Sequence, residues 1–311
     1  MHKSFRHYKI FSRYPWVNPE ENVAPYLVIG DDLDSLLSAT LWNHVSKPQW
    51  KIIGLYRNYQ KIMTSPNYQS KLDKAIWMDL DINSSTINSV GHHIILEGDC
   101  TGLEYNHLNF NSLRGINLEK FTQKYPLGTI HFLMYLFDIE IPSCKYAQEM
   151  IFSADSTWIN GQDHRFYENV KSWIQHCIPM ESFLITLREL QKKEYERKMK
   201  EYFSYLESCG ITQGTTQVTS KHLKLSGYQF RFDTISREQI RRRLKLIKSI
   251  TGWDPPEVGR FNKTISGTRK NLEISSHKNF KLDNLINNEE IFSYVFPYKN
   301  ILNYTEGIKL K

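Results

Sequence analysis

The chain has 311 residues, of which 40% are hydrophobic and 13% aromatic; this suits one large or two ordinary packed domains and excludes an intrinsically disordered chain. Polar and charged groups break its apolar runs well short of the ~20 residues of a membrane helix, so no membrane partner is expected. The net charge of +7 is uneven, with 16 Lys+Arg against 18 Asp+Glu in residues 1–180 and 24 against 15 in residues 181–311. That contrast fits a polyanion held against the basic half, and equally a basic domain with no nucleic-acid role.

Short apolar runs alternate with helical stretches from about residue 23 to 160. Strands are expected at Tyr26–Ile29, Ile52–Tyr56, Ala75–Met78 and His93–Leu96. Asp34–His44 reads as a helix with Leu36, Leu37, Thr40 and Leu41 on one face. The alternation predicts an α/β fold built on a doubly wound, mostly parallel sheet. Gly128–Phe137 is apolar nearly all round and predicts a buried helix, and Tyr146–Phe152 another. From Glu181 to Cys209, apolar residues recur at three- and four-residue steps until Gly210, which predicts one long helix. Leu223–Phe232 alternates as a hairpin or edge strands do. Ser236-Arg237-Glu238-Gln239 is a capping box opening the helix Arg237–Ile250, which Gly252 ends. The expected organisation is a domain over 1–180, a connecting helix over 181–209, and a smaller, basic α+β domain over 210–311.

The start, Met1-His2-Lys3-Ser4-Phe5-Arg6, shows no apolar segment of a secretory signal. The four cysteines, Cys100, Cys144, Cys177 and Cys209, are widely spaced. Neither a zinc ribbon nor a disulfide framework is expected, and a reducing cytoplasm is the simplest setting.

Chemistry-bearing residues gather at the ends of the apolar runs. Tyr26–Ile29 leads into Gly30-Asp31-Asp32-Leu33-Asp34, and Ala75–Met78 into Asp79-Leu80-Asp81. Gly91-His92-His93 opens the next run, and Phe152-Ser153-Ala154 precedes Asp155. In open α/β sheets the ligand site lies beyond the carboxyl ends of the strands. Carboxylates and imidazoles collected there can hold divalent metals, which drive phosphoester hydrolysis. Singly, each acid also reads as a helix cap or turn residue.

Taken in order, the D-x-D, the strand-end Asp, the x-His-His and the later Asp resemble the motifs of the DHH phosphoesterase family over roughly residues 24–160. The family includes RecJ-type exonucleases, oligoribonucleases, cyclic-dinucleotide phosphodiesterases and manganese pyrophosphatases. The resemblance implies one or two Mn²⁺ or Mg²⁺ ions. Asp34, Asp79, His92 and Asp155 would hold one metal, with Asp79 bridging to a second that Asp32 also holds. His93 would touch the substrate phosphate or assist proton transfer. Asn109 and Asn111 resemble the family's Asn-Pro-Asn element and would face the substrate. Ser266-Gly267-Thr268-Arg269, followed by Phe280-Lys281-Leu282-Asp283, resembles a segment in which Thr268 and Arg269 would grip phosphate, a task suited to the guanidinium fork. The dense run Arg241-Arg242-Arg243 either tracks a sugar-phosphate backbone or is a solvated helix face.

Two positions depart from the pattern. Gly91 stands where the family has an Asp that supports the histidines, and neither Val28 nor Gly30 supplies the ligand usually found upstream of D-x-D. Two functions stay open at this level. One is a metal-dependent phosphodiesterase or exonuclease acting on single-stranded nucleic acid, short oligonucleotides or cyclic nucleotides. The other is a weakened relative that binds nucleotide or nucleic acid without hydrolysis.

Overall fold

A computed structural model describes the chain except for residues 1–4, 19–24, 47–48, 97–105, 162–165, 179, 190–191, 212–214, 221–224, 233–235, 277–280, 289 and 311. The fold is mixed α/β with a mostly parallel central sheet. Its strands in chain order are β1 (Tyr26–Ile29), β2 (Lys51–Arg57), β3 (Lys61–Thr64), β4 (Ile76–Met78), β5 (Ser89–Gly91), β6 (His107–Asn109), β7 (Thr215–Ser220), β8 (Leu225–Phe232), β9 (Glu257–Val258), β10 (Lys263–Ser266), β11 (Thr268–Glu273), β12 (Ile291–Tyr298) and β13 (Ile301–Glu306).

The chain divides into two compact units that are each discontinuous in sequence. One comprises residues 1–30, 46–124 and 256–311, the other residues 31–45 and 125–255. A division at 180 and 210 is, by contrast, continuous along the chain.

The first unit carries the sheet, in the order β10-β3-β2-β1-β4-β5-β6, with β9 beside β2. The five strands β2-β1-β4-β5-β6 run parallel, and β3 and β10 extend one edge antiparallel. β1, β2 and β4 are buried nearly throughout, as the two-faced burial of a parallel sheet requires. A second, antiparallel sheet runs β11-β13-β12, and bridges from Ile82 to Ser293 and from Ile94 to Phe296 tie it to the first. Phe292 meets Tyr56 and Trp77 edge-on, at 5.7 and 5.2 Å between ring centres, within a core that includes Val28, Ile53, Ile62 and Leu72. Gly267, between β10 and β11, is a forced glycine: a Cβ there would lie 2.6 Å from the Glu306 carbonyl oxygen.

One expected strand is displaced. The run His93–Leu96 contains only the single bridge at Ile94, and the strand is β5, immediately before the histidines. Ser89-Val90-Gly91 is too short and too mixed to register as a period-two pattern. The shift puts His92 and His93 at the carboxyl end of a parallel strand, beside the ends of β4 and β6.

The second unit is mainly helical. Helix Leu33–Val45 packs Trp42 edge-on against Phe137, at 5.6 Å, next to the wholly buried helix Thr129–Leu136. Helix Lys145–Ser153 follows. The stretch expected as one long helix consists of Glu181–Glu189 and Lys192–Ser208, with Leu190 and Gln191 outside the described residues. Of the stretch expected as a hairpin or edge strands, Leu225–Phe232 is the single strand β8, Leu223 and Lys224 lie outside the described residues, and the hairpin partner is β7, upstream of that stretch. Helix Arg237–Thr251 has Ser236 accepting from the Gln239 amide at 3.2 Å, and stops at Gly252 with φ 77°. No helix among the described residues is long and apolar enough to cross a membrane.

Glu149, on helix Lys145–Ser153, is 1% exposed, and neither carboxylate oxygen has a hydrogen-bond partner. Burial pushes its pKa up to about 7, only partly offset by Lys145 and Lys198. A carboxyl whose folded pKa is raised favours the native state below its unfolded pKa and loses that advantage as pH rises through the folded value. Stability in urea is therefore expected to fall between about pH 4.5 and 7 by up to ~3 kcal/mol on the linkage scale. Glu149→Gln flattens that slope and is more stable than the parent at pH 8; denaturation curves at pH 5 and pH 8 check both.

Candidate functional site

Three parallel strands of the first unit end side by side, and each ends in polar residues. β4 runs into Asp79-Leu80-Asp81, β5 into His92-His93, and β6 ends at Asn109. Asp79 adopts φ 60°, a backbone region unfavourable for a residue with a Cβ and concentrated at functional positions. Its Oδ1 lies 3.1 Å from His92 Nδ1. The next pair repeats the arrangement, with His93 Nδ1 2.8 Å from Asp81 Oδ2. The two imidazoles stack with centres 4.3 Å apart.

Asp81 is enclosed by donors. Its Oδ1 accepts from His107 Nε2 at 2.9 Å and from Asn109 Nδ2 at 3.0 Å. The far nitrogen of His107, Nδ1, meets Ser89 Oγ. Burial alone would raise the pKa of Asp81, but the bonds from His107 and His93 outweigh it and hold the carboxyl well below the ordinary carboxylate range. The amides of Asn109 and Asn111 also donate to the His93 and His92 backbone carbonyls, at 2.9 and 2.7 Å. Asn109 further caps helix Phe110–Leu113 by accepting from the Ser112 amide. Both asparagines are buried, and their amides brace the backbone of the histidine pair.

The other two acids are Asp34 and Asp155. Asp34, at the start of helix Leu33–Val45, is buried. It accepts from the Thr129 and Ile130 amides at 2.6 and 2.8 Å, and from Ser38 Oγ at 3.2 Å. Those amides are the first of helix Thr129–Leu136, whose positive dipole end favours an anion. Gly128 makes the approach possible, since a Cβ there would lie 2.5 Å from Asp34 Oδ2. Asp155 sits in the turn Ala154–Ser156 with φ 46°, and its ligand oxygen lies within 4.8 Å of that of Asp34. Burial, followed by the charges of Asp34 and Asp155, pushes the pKa of Tyr125 well above its usual value.

Asp34, Asp79, His92 and Asp155 make up a candidate metal-ligand group of three carboxylates and one imidazole. All four belong to the set expected from the sequence, and a donor set of this kind fits a divalent cation. Asp32 is outside it: its carboxylate is exposed and accepts from the Ser35 amide at 3.0 Å, the N-cap alternative. Thr268 and Arg269 lie exposed on β11, with the Arg269 guanidinium 5.8 Å over the Tyr59 ring. In the basic run, Arg241 and Arg242 are exposed and Arg243 is buried. The Asp81–His107–Ser89 network is not apparent in the linear sequence. One signal for it was present: His107 and Asn109 stand two apart on β6 and share a face.

No protein-family profile matches the chain, and no curated protein shows significant sequence similarity to it.

The tight approach at Gly128 makes a specific expectation. Gly128→Ala forces its new methyl group against Asp34 and is expected to destabilise the fold by ~1–3 kcal/mol, the usual overpacking cost. Urea denaturation measures it, and a stability equal to the parent would show that the contact relaxes freely.

Proposed function

We propose that the protein is a metal-dependent phosphodiesterase of the DHH type in which Asp34, Asp79, His92 and Asp155 hold a divalent ion, Mn²⁺ or Mg²⁺. The observation that carries this reading is the four-residue ligand group itself. Its members coincide with the positions that the motif resemblance assigns to one metal. The left-handed backbone at Asp79 and Asp155 supports it further, because strain of that kind is kept where a side chain must be aimed. A bound divalent ion supplies Lewis acidity toward a phosphoryl oxygen and toward water.

The chain's own groups have separate tasks. In hydrolysis a water oxygen bonds to phosphorus as the bond to the leaving oxygen breaks; the water loses a proton and the leaving group gains one. His93 is assigned to that proton traffic or to the phosphate itself. Its Nδ1 is engaged by Asp81, which leaves Nε2 for the work, and the side chain is 31% exposed. Thr268 and Arg269 are assigned to the phosphate of a nucleotide or single-stranded nucleic acid, with residues 210–311 supplying the basic substrate-binding part. The reading keeps the cytoplasmic setting expected from the wide spacing of the cysteines.

The second reading, a binder that does not cut, is favoured by two observations: Asp32 caps a helix, and Val28 and Gly30 have no side-chain ligand for a second metal. Hydrolysis separates the two. A phosphodiester reporter, a dinucleotide, cyclic dinucleotides and a single-stranded oligonucleotide, each with Mn²⁺, are expected to include a substrate. Calorimetry is expected to show Mn²⁺ binding that Asp79→Ala abolishes along with turnover. Mn²⁺ binding unchanged in Asp79→Ala would remove the metal assignment; binding without turnover would leave the non-cutting reading. Arg269→Ala is expected to weaken nucleotide binding ~10-fold, of the order of one lost charge-assisted hydrogen bond, with Mn²⁺ affinity unchanged. An unaltered nucleotide affinity would take Arg269 out of the site.

A further inference from the structure

We propose that Asp81 is the positioning residue of His93 and fills, from the neighbouring strand, the space that an aspartate at position 91 would take in an Asp-His-His motif. The proposal deepens the role given to His93 above and rests on that reading for its functional consequence only.

The geometry is direct. β4 and β5 are adjacent and parallel, with Met78 beside Val90 and the Leu80 amide donating to the Val90 carbonyl at 2.9 Å. This register brings Asp81 alongside Gly91. A Cβ on Gly91 would lie 2.6 Å from Asp81 Cγ, so a side chain at 91 and the carboxylate at 81 exclude one another. Glycine at 91 is the condition for Asp81 to be where it is.

The bonding of Asp81 is that of an aiming device. Three side-chain donors, on His93, His107 and Asn109, fix the rotation of its carboxylate. Its side chain is 1% exposed, too deep to touch a substrate, whereas that of His93 is 31% exposed. Any effect of Asp81 on chemistry passes through His93. A carboxylate on Nδ1 selects the Nδ1–H tautomer, fixes the ring plane and leaves the lone pair on Nε2. The competing account is that Asp81 merely fastens β4, β5 and β6 together; it predicts no dependence of the His93 tautomer on residue 81.

The test compares the full-length parent with Asp81→Asn, Gly91→Asp, Asp81→Gly and the double variant Asp81→Gly/Gly91→Asp. Histidine-ring ¹⁵N–¹H spectra are recorded on metal-free protein at one fixed pH, with His93→Gln identifying the His93 signal. The parent is expected to hold His93 as Nδ1–H. Asp81→Asn, which keeps the side chain's size but lacks an acceptor for both imidazoles, is expected to shift it toward Nε2–H. The double variant is expected to restore Nδ1–H and to melt at a higher temperature than either Gly91→Asp or Asp81→Gly. An unchanged His93 tautomer in Asp81→Asn overturns the proposal, as does a double variant that melts no higher than the single ones. Asp81→Asn is also expected to lower kcat by ~10- to 100-fold, the usual cost of removing an outer partner, while Mn²⁺ affinity stays within experimental error and the double variant recovers the loss. The spectra need neither metal nor turnover. A parent that hydrolyses nothing would sink the proposed enzyme and leave the tautomer result to decide the role of Asp81.

Discussion

An ionised carboxylate taken out of water costs several kcal/mol unless donors surround it, and the described part of this chain buries four acids: Asp34, Asp79, Asp81 and Glu149. Their environments differ. Asp34 has the first amides of a helix and a serine hydroxyl. Asp81 has two imidazoles and an amide. Asp79 has His92. Glu149 has no hydrogen-bond partner, and its pKa rises to about 7 accordingly. Much of the structure around these acids follows from this constraint. Asn109 and Asn111 are there to brace the backbone of the histidines that face the acids, and Gly91 and Gly128 are glycine because carboxylates occupy the space of their missing side chains.

The sequence reveals most where burial and period agree. β1 and β2 are legible as short apolar runs because both faces of a parallel strand are covered. The helix Arg237–Thr251 is legible from its ends, where a serine cap and a left-handed glycine leave signatures in residue type. The strand next to the histidines was misplaced for a related reason. Ile94-Ile95-Leu96 is more apolar than Ser89-Val90-Gly91, yet it is a buried loop joined to β12 at one residue. Apolar content reports burial, and only the ladder makes a strand.

The members of the candidate ligand group are legible because carboxylates and imidazoles stand out in residue type at the ends of apolar runs. Their supporting residues are not, because support is defined by space. Asp32 and Asp34 look alike in the sequence, two apart at the start of one helix. One caps the helix in solvent, and the other is buried against the amides of a second helix nearly a hundred residues away. Two residues apart at the start of a helix, they point about 200° from one another, and on the side that Asp34 faces Gly128 leaves room for its carboxylate.

A glycine in place of an aspartate beside two histidines reads, along the chain, as a lost support. In the folded protein, the lost side chain and the carboxylate of Asp81 would occupy the same volume, and that volume does contain a carboxylate bonded to His93. Adjacent parallel strands bring residues 81 and 91 together, so either can deliver the group, provided the other leaves room. The physical requirement is a negative charge at Nδ1 of one imidazole; the position that supplies it is free to vary between neighbours. The space beside Gly91 is thus filled from the segment just beyond β4, by the carboxylate of Asp81 that bonds His93.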